Sequence, residues 1–215
     1  MAENKPQFSY SLDNAVPAIY TNNLITARAF QRDGKANGEP KFGATFCFPE
    51  GHADMSPLKQ KALAAARAKW PGIETKNVKW PWLPGSTIAD RAKIKGKDRE
   101  VLRPFACVLN ARSVFEVALS ILDNGNIIDL ATAEAKNAAR DKYFYDGVLL
   151  GAVFNFVPYE QNDTLGITCY LNRVLSLGEG ERIKVSSAAS GAEVFAKYSG
   201  RASHVDPGMN ADMDI

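Results

Sequence analysis

The residue types that usually carry catalysis are few in this chain and badly spaced. The two histidines, His52 and His204, have no Cys, His or carboxylate at metal-ligand spacing. The three cysteines, Cys47, Cys107 and Cys169, are odd in number and far apart, so they suit neither a disulfide framework nor a metal knuckle; each reads as a reduced thiol filling a strand core. No nucleophile elbow, phosphate-binding loop or dinucleotide fingerprint is present, and Gly178-Glu-Gly-Glu reads as a turn. Neither a catalytic set nor a cofactor nor a bound metal is therefore expected. Scattered carboxylates could still meet around two metal ions, which keeps a metal-dependent nuclease as a rival reading.

What the sequence does offer is cations interleaved with rings. Trp80 and Trp82 form a Trp-Pro-Trp unit within a stretch that also holds Lys79, Arg91, Lys93, Lys95, Lys97 and Arg99. On the strands, if the apolar parity faces the core, the other parity displays Thr26, Arg28, Phe30 and Arg32, then Lys41 and Thr45, then Asn110 and Arg112. Later strands add Asn155 and Tyr159, then Thr168, Tyr170 and Asn172. Phosphates pair with Lys and Arg while bases stack on aromatic faces, so this mixture suits a single nucleic-acid strand of any sequence. The predicted phosphate contacts are Arg28, Lys41, Lys79, Arg91, Lys93, Lys95, Lys97, Arg99 and Arg112. The predicted stacking faces are Phe30, Trp80, Trp82, Tyr159 and Tyr170. The plainer reading of the same residues is a solvated sheet face.

Charge along the chain supports a local site over a polycation. Twenty-six Lys and Arg against 24 Asp and Glu leave a net +2 over 215 residues, which excludes binding by bulk positive charge. Residues 1–58 carry −1, residues 59–103 carry +8 and residues 104–215 carry −5. After Arg201 there are Asp206, Asp212 and Asp214 with no Lys or Arg, ending in Ile215, so residues 199–215 are expected to form a flexible acidic tail able to lie over a cationic groove as a phosphate mimic. The N-terminal segment lacks the apolar run of a secretory signal, and the longest apolar run is too short to cross a bilayer, so a cytosolic protein is expected.

These side chains need a scaffold, and the periodicity predicts one that is β-rich. Leu24 to Arg32 and Lys41 to Phe48 alternate with period two around a glycine-rich loop at 33–40, predicting a hairpin. Ser56 and Pro57 read as cap and first turn of a helix over 56–70, ended by Pro71-Gly72. Residues 71–103 read as a long exposed basic insert. Phe105 to Ile121 predicts one bent strand or two short ones, and 131–142 an Ala-rich helix that Thr132 caps. Gly147 to Tyr159 and Leu165 to Leu177 flank Glu160-Gln-Asn-Asp-Thr as a second hairpin. About six strands with two helices point to a small β-barrel or strongly bent sheet, one domain over 1–198.

The later part of the chain resembles a known family. Tyr145-Asp-Gly-Val, the strand ending at Tyr159, Gly166-Ile-Thr-Cys-Tyr-Leu-Asn-Arg-Val and the Gly-Glu turn at 178–181 are similar to phage-encoded single-stranded-DNA-binding proteins, a group long catalogued as a domain of unknown function. The Ile-Thr-Ala-Arg-Ala-Phe and Lys-Phe-Gly-Ala-Thr-Phe strands and the following helix extend the resemblance over roughly Leu24 to Phe195. Gly147, Leu171, Asn172 and Val174 are its most telling positions. The resemblance implies a mainly β, OB-fold-like barrel with inserted helices that protects single strands during phage replication or recombination in the cytoplasm of an infected bacterial host. It further implies no enzymatic activity, and an acidic C-terminus that contacts replication proteins such as a polymerase or helicase. A β-rich virion protein is the remaining structural alternative.

Overall fold

The computed structural model describes residues 8–32 and 35–184, with the backbone alone at 30–32 and 35–37. They belong to one compact unit, Met1–Val185. The expected boundary at 198 and the tail residues Asp206, Asp212, Asp214 and Ile215 lie outside the described residues.

In chain order the elements are β1 (Ser9–Ser11), β2 (Val16–Ile19), the single turn α1 (Asn22–Ile25), β3 (Arg28–Arg32), β4 (Lys35–Pro49) and α2 (Met55–Lys69). Then come β5 (Val78–Lys79), β6 (Trp82–Leu83), α3 (Gly85–Ile94), β7 (Phe105–Ser113), β8 (Ala118–Asp123) and β9 (Asn126–Asp129). The last three are α4 (Ala133–Tyr143), β10 (Leu149–Gln161) and β11 (Thr164–Ser176). The strands hydrogen-bond in the order β6-β7-β4-β2-β10-β11-β8-β9, with β1 on β10, β3 on β4 and β5 on β11. Among the described residues no helix is long and apolar enough to cross a membrane.

Only Trp80 and Pro81 separate β5 from β6, and this short strap pairs with β11 on one side and β7 on the other. Val78 and Lys79 lie beside Leu165 and Gly166 of β11, while Trp82 and Leu83 face Leu109 and Val108 of β7. Between them the Asn110 N–H donates to the Pro81 carbonyl at 3.0 Å. The strap thus draws β11 to β7 and turns the sheet into a partly open, OB-like barrel, mainly β with inserted helices as expected. Inside it Phe46, Phe48, Leu109, Leu150, Phe154, Phe156, Ile167 and Leu171 are fully buried, with the Phe46 and Phe154 rings edge to face at 4.9 Å. Helix α2 lays Leu58, Ala62, Ala65 and Ala66 on this core.

Local signals explain several elements. Asn162 and Asp163 both take left-handed φ (47° and 58°), the geometry that a two-residue hairpin turn between β10 and β11 requires. Thr132 caps α4, its Oγ1 accepting from Ala135 N–H at 3.2 Å. The three thiols sit in β4, β7 and β11; burial pushes Cys47 up to about 12 and Cys107 up to about 11, and raises Cys169 well above the ordinary value.

Other expectations need correcting. The loop expected at 33–40 is mostly strand, since Phe30 faces Asn37 and Arg32 faces Lys35; a polar two-stranded ribbon carries no apolar alternation to reveal it. Leu24 and Ile25 belong to α1 instead of the first strand. Helix α2 starts at Met55, so Ser56 is not its cap. Asp54 stands at the cap position, yet its carboxylate accepts from the Tyr10 hydroxyl (2.5 Å) and from the backbone N–H groups of Asp13 and Asn14 (both 3.0 Å). The 71–103 segment is no structureless insert: it holds two strands, α3 and 3-10 turns at Thr75–Asn77 and Glu100–Leu102.

Candidate nucleic-acid interface

Strand alternation sends Ala44 and Phe46 of β4 and Leu109 and Ala111 of β7 into the core, which leaves Lys41, Thr45, Asn110 and Arg112 on the outer face. There they meet Thr168 and Tyr170 of β11, Tyr159 of β10, and Lys79, Trp80 and Trp82 of the strap around a cleft of about 430 Å³. A second stretch of about 330 Å³ shares Tyr20, Lys41, Thr45, Asn110 and Arg112 and adds Asn23, Arg28 and Phe42, so the two form one groove. On the same face a small second core of Ile19, Cys47, Leu102 and Val108, with Ile88 of α3, Phe105 and Ile183 packed on it, contributes Ile19, Ile88, Leu102 and Val108 to the lining of the first stretch.

The rings are positioned by specific neighbours. Trp80 and Trp82 stack with centroids 5.1 Å apart and planes 20° apart, and Trp80 Nε1 donates to the Thr75 carbonyl at 3.1 Å. Both indoles are half-buried against the core, so part of each remains at the groove. Tyr159 faces Gly166 across the β10–β11 ladder. A Cβ at position 166 would lie 2.4 Å from Tyr159 Cζ, so the ring rests where only glycine leaves room. Tyr170 is 37% exposed.

The electrostatics of the groove are one-sided. No Asp or Glu is among the described residues lining either stretch. Among the described residues Arg28, Lys41, Lys79 and Arg112 have no carboxylate ion partner, whereas elsewhere Lys136, Lys142 and Arg173 have one each and Arg103 has two. Arg112 Nε donates to Asn110 Oδ1 at 3.0 Å, which fixes the guanidinium without neutralising it. Arg99 holds its guanidinium carbon 5.9 Å from the Tyr20 ring centre. Among the described residues no group of three or more His, Cys, Asp or Glu could hold a metal ion.

Of the residues singled out from sequence, Lys41, Lys79, Trp80, Trp82, Arg99, Arg112, Tyr159 and Tyr170 line the first stretch and Arg28 lines the second. Arg91, Lys93, Lys95 and Lys97 fall on the last turn of α3 and just after it, exposed and not among the residues that line either stretch, although Ile88 and Arg99 on either side of them line the first. Phe30 is on β3, with its side chain outside the described residues. Tyr20 lines both stretches and was not expected. It is 37% exposed and has φ of 58°, a left-handed conformation that costs a non-glycine residue roughly 1–2 kcal/mol. Its only sequence signal is its place directly before Thr21-Asn22-Asn23, residue types that favour turns and caps.

Fold and site together define a class: a small OB-like barrel with a cationic, ring-lined groove along its outer face, shaped for an extended anionic chain. A family model described as Enterobacter phage Enc34, ssDNA-binding protein, matches residues 20–205, and the chain belongs to that family. The single-stranded DNA-binding protein from bacteriophage Enc34 has a similar structure, with TM-score 0.60 and 14% identity over 86% of this chain and 87% of that one. The same protein in complex with ssDNA gives TM-score 0.59 and 15% identity, covering 82% of this chain and 89% of that one. Its C-terminal truncation gives 0.58 and 16%, covering 81% and 88%. At such identities the likeness concerns the fold. No curated protein sequence matches the chain.

Proposed function

We propose that this chain is a non-enzymatic protein that binds single-stranded DNA, without sequence preference, along the groove between the strap and the outer faces of β4, β7 and β11. The observation that carries this reading is the groove itself, where Lys41, Lys79 and Arg112 stand without carboxylate partners beside Trp80, Trp82, Tyr159 and Tyr170. Phosphates take the cations and bases take the rings, and each stacked base is worth roughly 1–3 kcal/mol whatever its identity. Membership of a phage family whose named protein binds ssDNA supports the same reading. The protein then protects single strands during phage replication or recombination in the cytoplasm of the infected host.

In this reading the acidic C-terminal segment with Asp206, Asp212, Asp214 and Ile215 competes with DNA for the groove and recruits phage replication proteins; its charge is complementary to that of the groove.

The test is a titration of intrinsic tryptophan fluorescence with oligo-dT and with duplex of equal length at several salt concentrations. Single-strand binding with quenching is expected. With Arg28, Lys41, Lys79 and Arg112 engaged, the log–log salt slope is about −3. Absence of binding to oligo-dT at low salt refutes the proposal, and degradation of the oligonucleotide in Mg²⁺ would replace it with nuclease activity. Removing residues 202–215 should tighten binding; unchanged affinity would remove the tail from the site.

A further inference from the structure

Tyr20 is held in place by a motif that the groove residues leave unexplained. The Tyr145-Asp146-Gly147 turn, far away in sequence, grips the chain on both sides of Tyr20. Asp146 Oδ1 accepts from the Thr21 backbone N–H at 3.2 Å, and the buried Thr21 Oγ1 donates to the Phe144 carbonyl at 2.8 Å. On the other side Gly147 N–H donates to the Ala18 carbonyl at 2.7 Å. With residues 18 and 21 so fixed, Tyr20 between them sits in the left-handed region that tyrosine disfavours.

The ring packs against the Arg99 guanidinium and not into either core. Tyr20 belongs to neither core cluster, and its exposed part lies where the two stretches of the groove meet. An exposed aromatic held in a strained conformation by buried hydrogen bonds is a feature that ligand contacts use. The Arg99 guanidinium, 5.9 Å from the ring centre, places a cation beside it.

We infer that Tyr20 stacks a base at the junction of the two stretches, so that the DNA strand runs on from the ring-lined stretch into the one beside Arg28 and Lys41. This rests on the single-stranded-DNA reading above, and the experiment separates the two. Asparagine tolerates the left-handed conformation, so Tyr20→Asn removes the ring without adding strain. Wild type and Tyr20→Asn are titrated with oligo-dT across a salt series, alongside Tyr20→Phe. In parallel, wild-type protein is photocrosslinked to an oligonucleotide carrying iododeoxyuridine, and the crosslinked peptide is identified by mass spectrometry.

The expected result is a loss of affinity of roughly 5- to 150-fold for Tyr20→Asn with the salt slope unchanged, retention of affinity by Tyr20→Phe, and a crosslink at Tyr20. Failure of wild type to bind refutes the DNA reading. If wild type binds, unchanged affinity in Tyr20→Asn or absence of a Tyr20 crosslink overturns this inference and leaves the groove reading standing. A salt slope shallower by about 0.7 in Tyr20→Asn also overturns it, because the residue would then act through Arg99 on a phosphate.

Discussion

Replacing Gly166 by alanine tests how β11 aims the Tyr159 ring that the proposed function assigns to base stacking. Position 166 is on β11, opposite Tyr159 of β10, and lacks the positive φ that would bar other residues. An alanine Cβ there would stand 2.4 Å from Tyr159 Cζ, 2.5 Å from its hydroxyl oxygen and 2.6 Å from Cε1. Carbon atoms rest at roughly 3.5 Å, so the ring must retreat by about 1 Å. The clash falls on the far end of a side chain, and that end swings away more easily than backbone moves.

Folding stability should therefore hold. Glycine inside a strand is roughly 0.5–1 kcal/mol less favourable than alanine, which offsets part of the displacement. Binding should not hold, because a ring shifted by about 1 Å loses part of a stacking interaction of roughly 1–3 kcal/mol. The expectation is an approximately fivefold loss of oligo-dT affinity with a melting temperature at or near that of wild type. In a Tyr159→Ala background the same substitution should be silent, since no ring remains to be displaced. Full affinity in Gly166→Ala, or the same loss with Tyr159 already absent, would refute the reasoning.

Other consequences follow from charge and burial. Lys79→Ala and Arg112→Ala should each make the salt slope shallower by about 0.7, while Lys95→Ala, outside the groove lining, should leave it unchanged; a salt series on the three variants decides this. Burial raises the Asp54 carboxyl, but hydrogen bonds from Tyr10, Asp13 and Asn14 outweigh it and hold the group below the usual 3.8. A carboxylate depressed in the folded state adds stability above its unfolded pKa, and that stability fades as pH falls through the folded one. The melting temperature should therefore drop below pH 3.8, and Asp54→Asn should flatten that part of the profile. Cys47, Cys107 and Cys169 are buried with raised thiols, so maleimide at neutral pH should label them only after denaturation; labelling of the native protein would contradict the packing of β4, β7 and β11.

Strand parity made much of the groove legible in the sequence. Lys41, Thr45, Asn110, Arg112, Tyr159 and Tyr170 stand on the polar side of alternating runs, and a sheet with one buried face must turn that side outward. The second hairpin and the Thr132 cap were legible for a similar reason, because their signals are local. The strap was not. Strands of two residues have no period, and the prolines that make 78–84 look like a loop are compatible with an edge where few N–H groups need partners. Tyr20 escaped because its position depends on Asp146, 126 positions away and brought near only by the fold.

The segmental charges also change meaning once folded. The +8 of residues 59–103 suggests a single basic surface, but its cations are divided among several elements. Lys59, Lys61, Arg67 and Lys69 belong to α2, while Arg91 and Lys93 belong to α3. Lys76 and Arg103 are paired with nearby carboxylates. From that segment only Lys79 and Arg99 line the groove, and its other cations, Arg28, Lys41 and Arg112, come from β3, β4 and β7. On the proposed reading, a groove with so few cations grips phosphate weakly and draws the rest of its affinity from rings. Bases paired inside a duplex cannot reach those rings, so a preference for single strands is expected on this reading from the balance of charge and aromatic surface, without any contact that reads sequence.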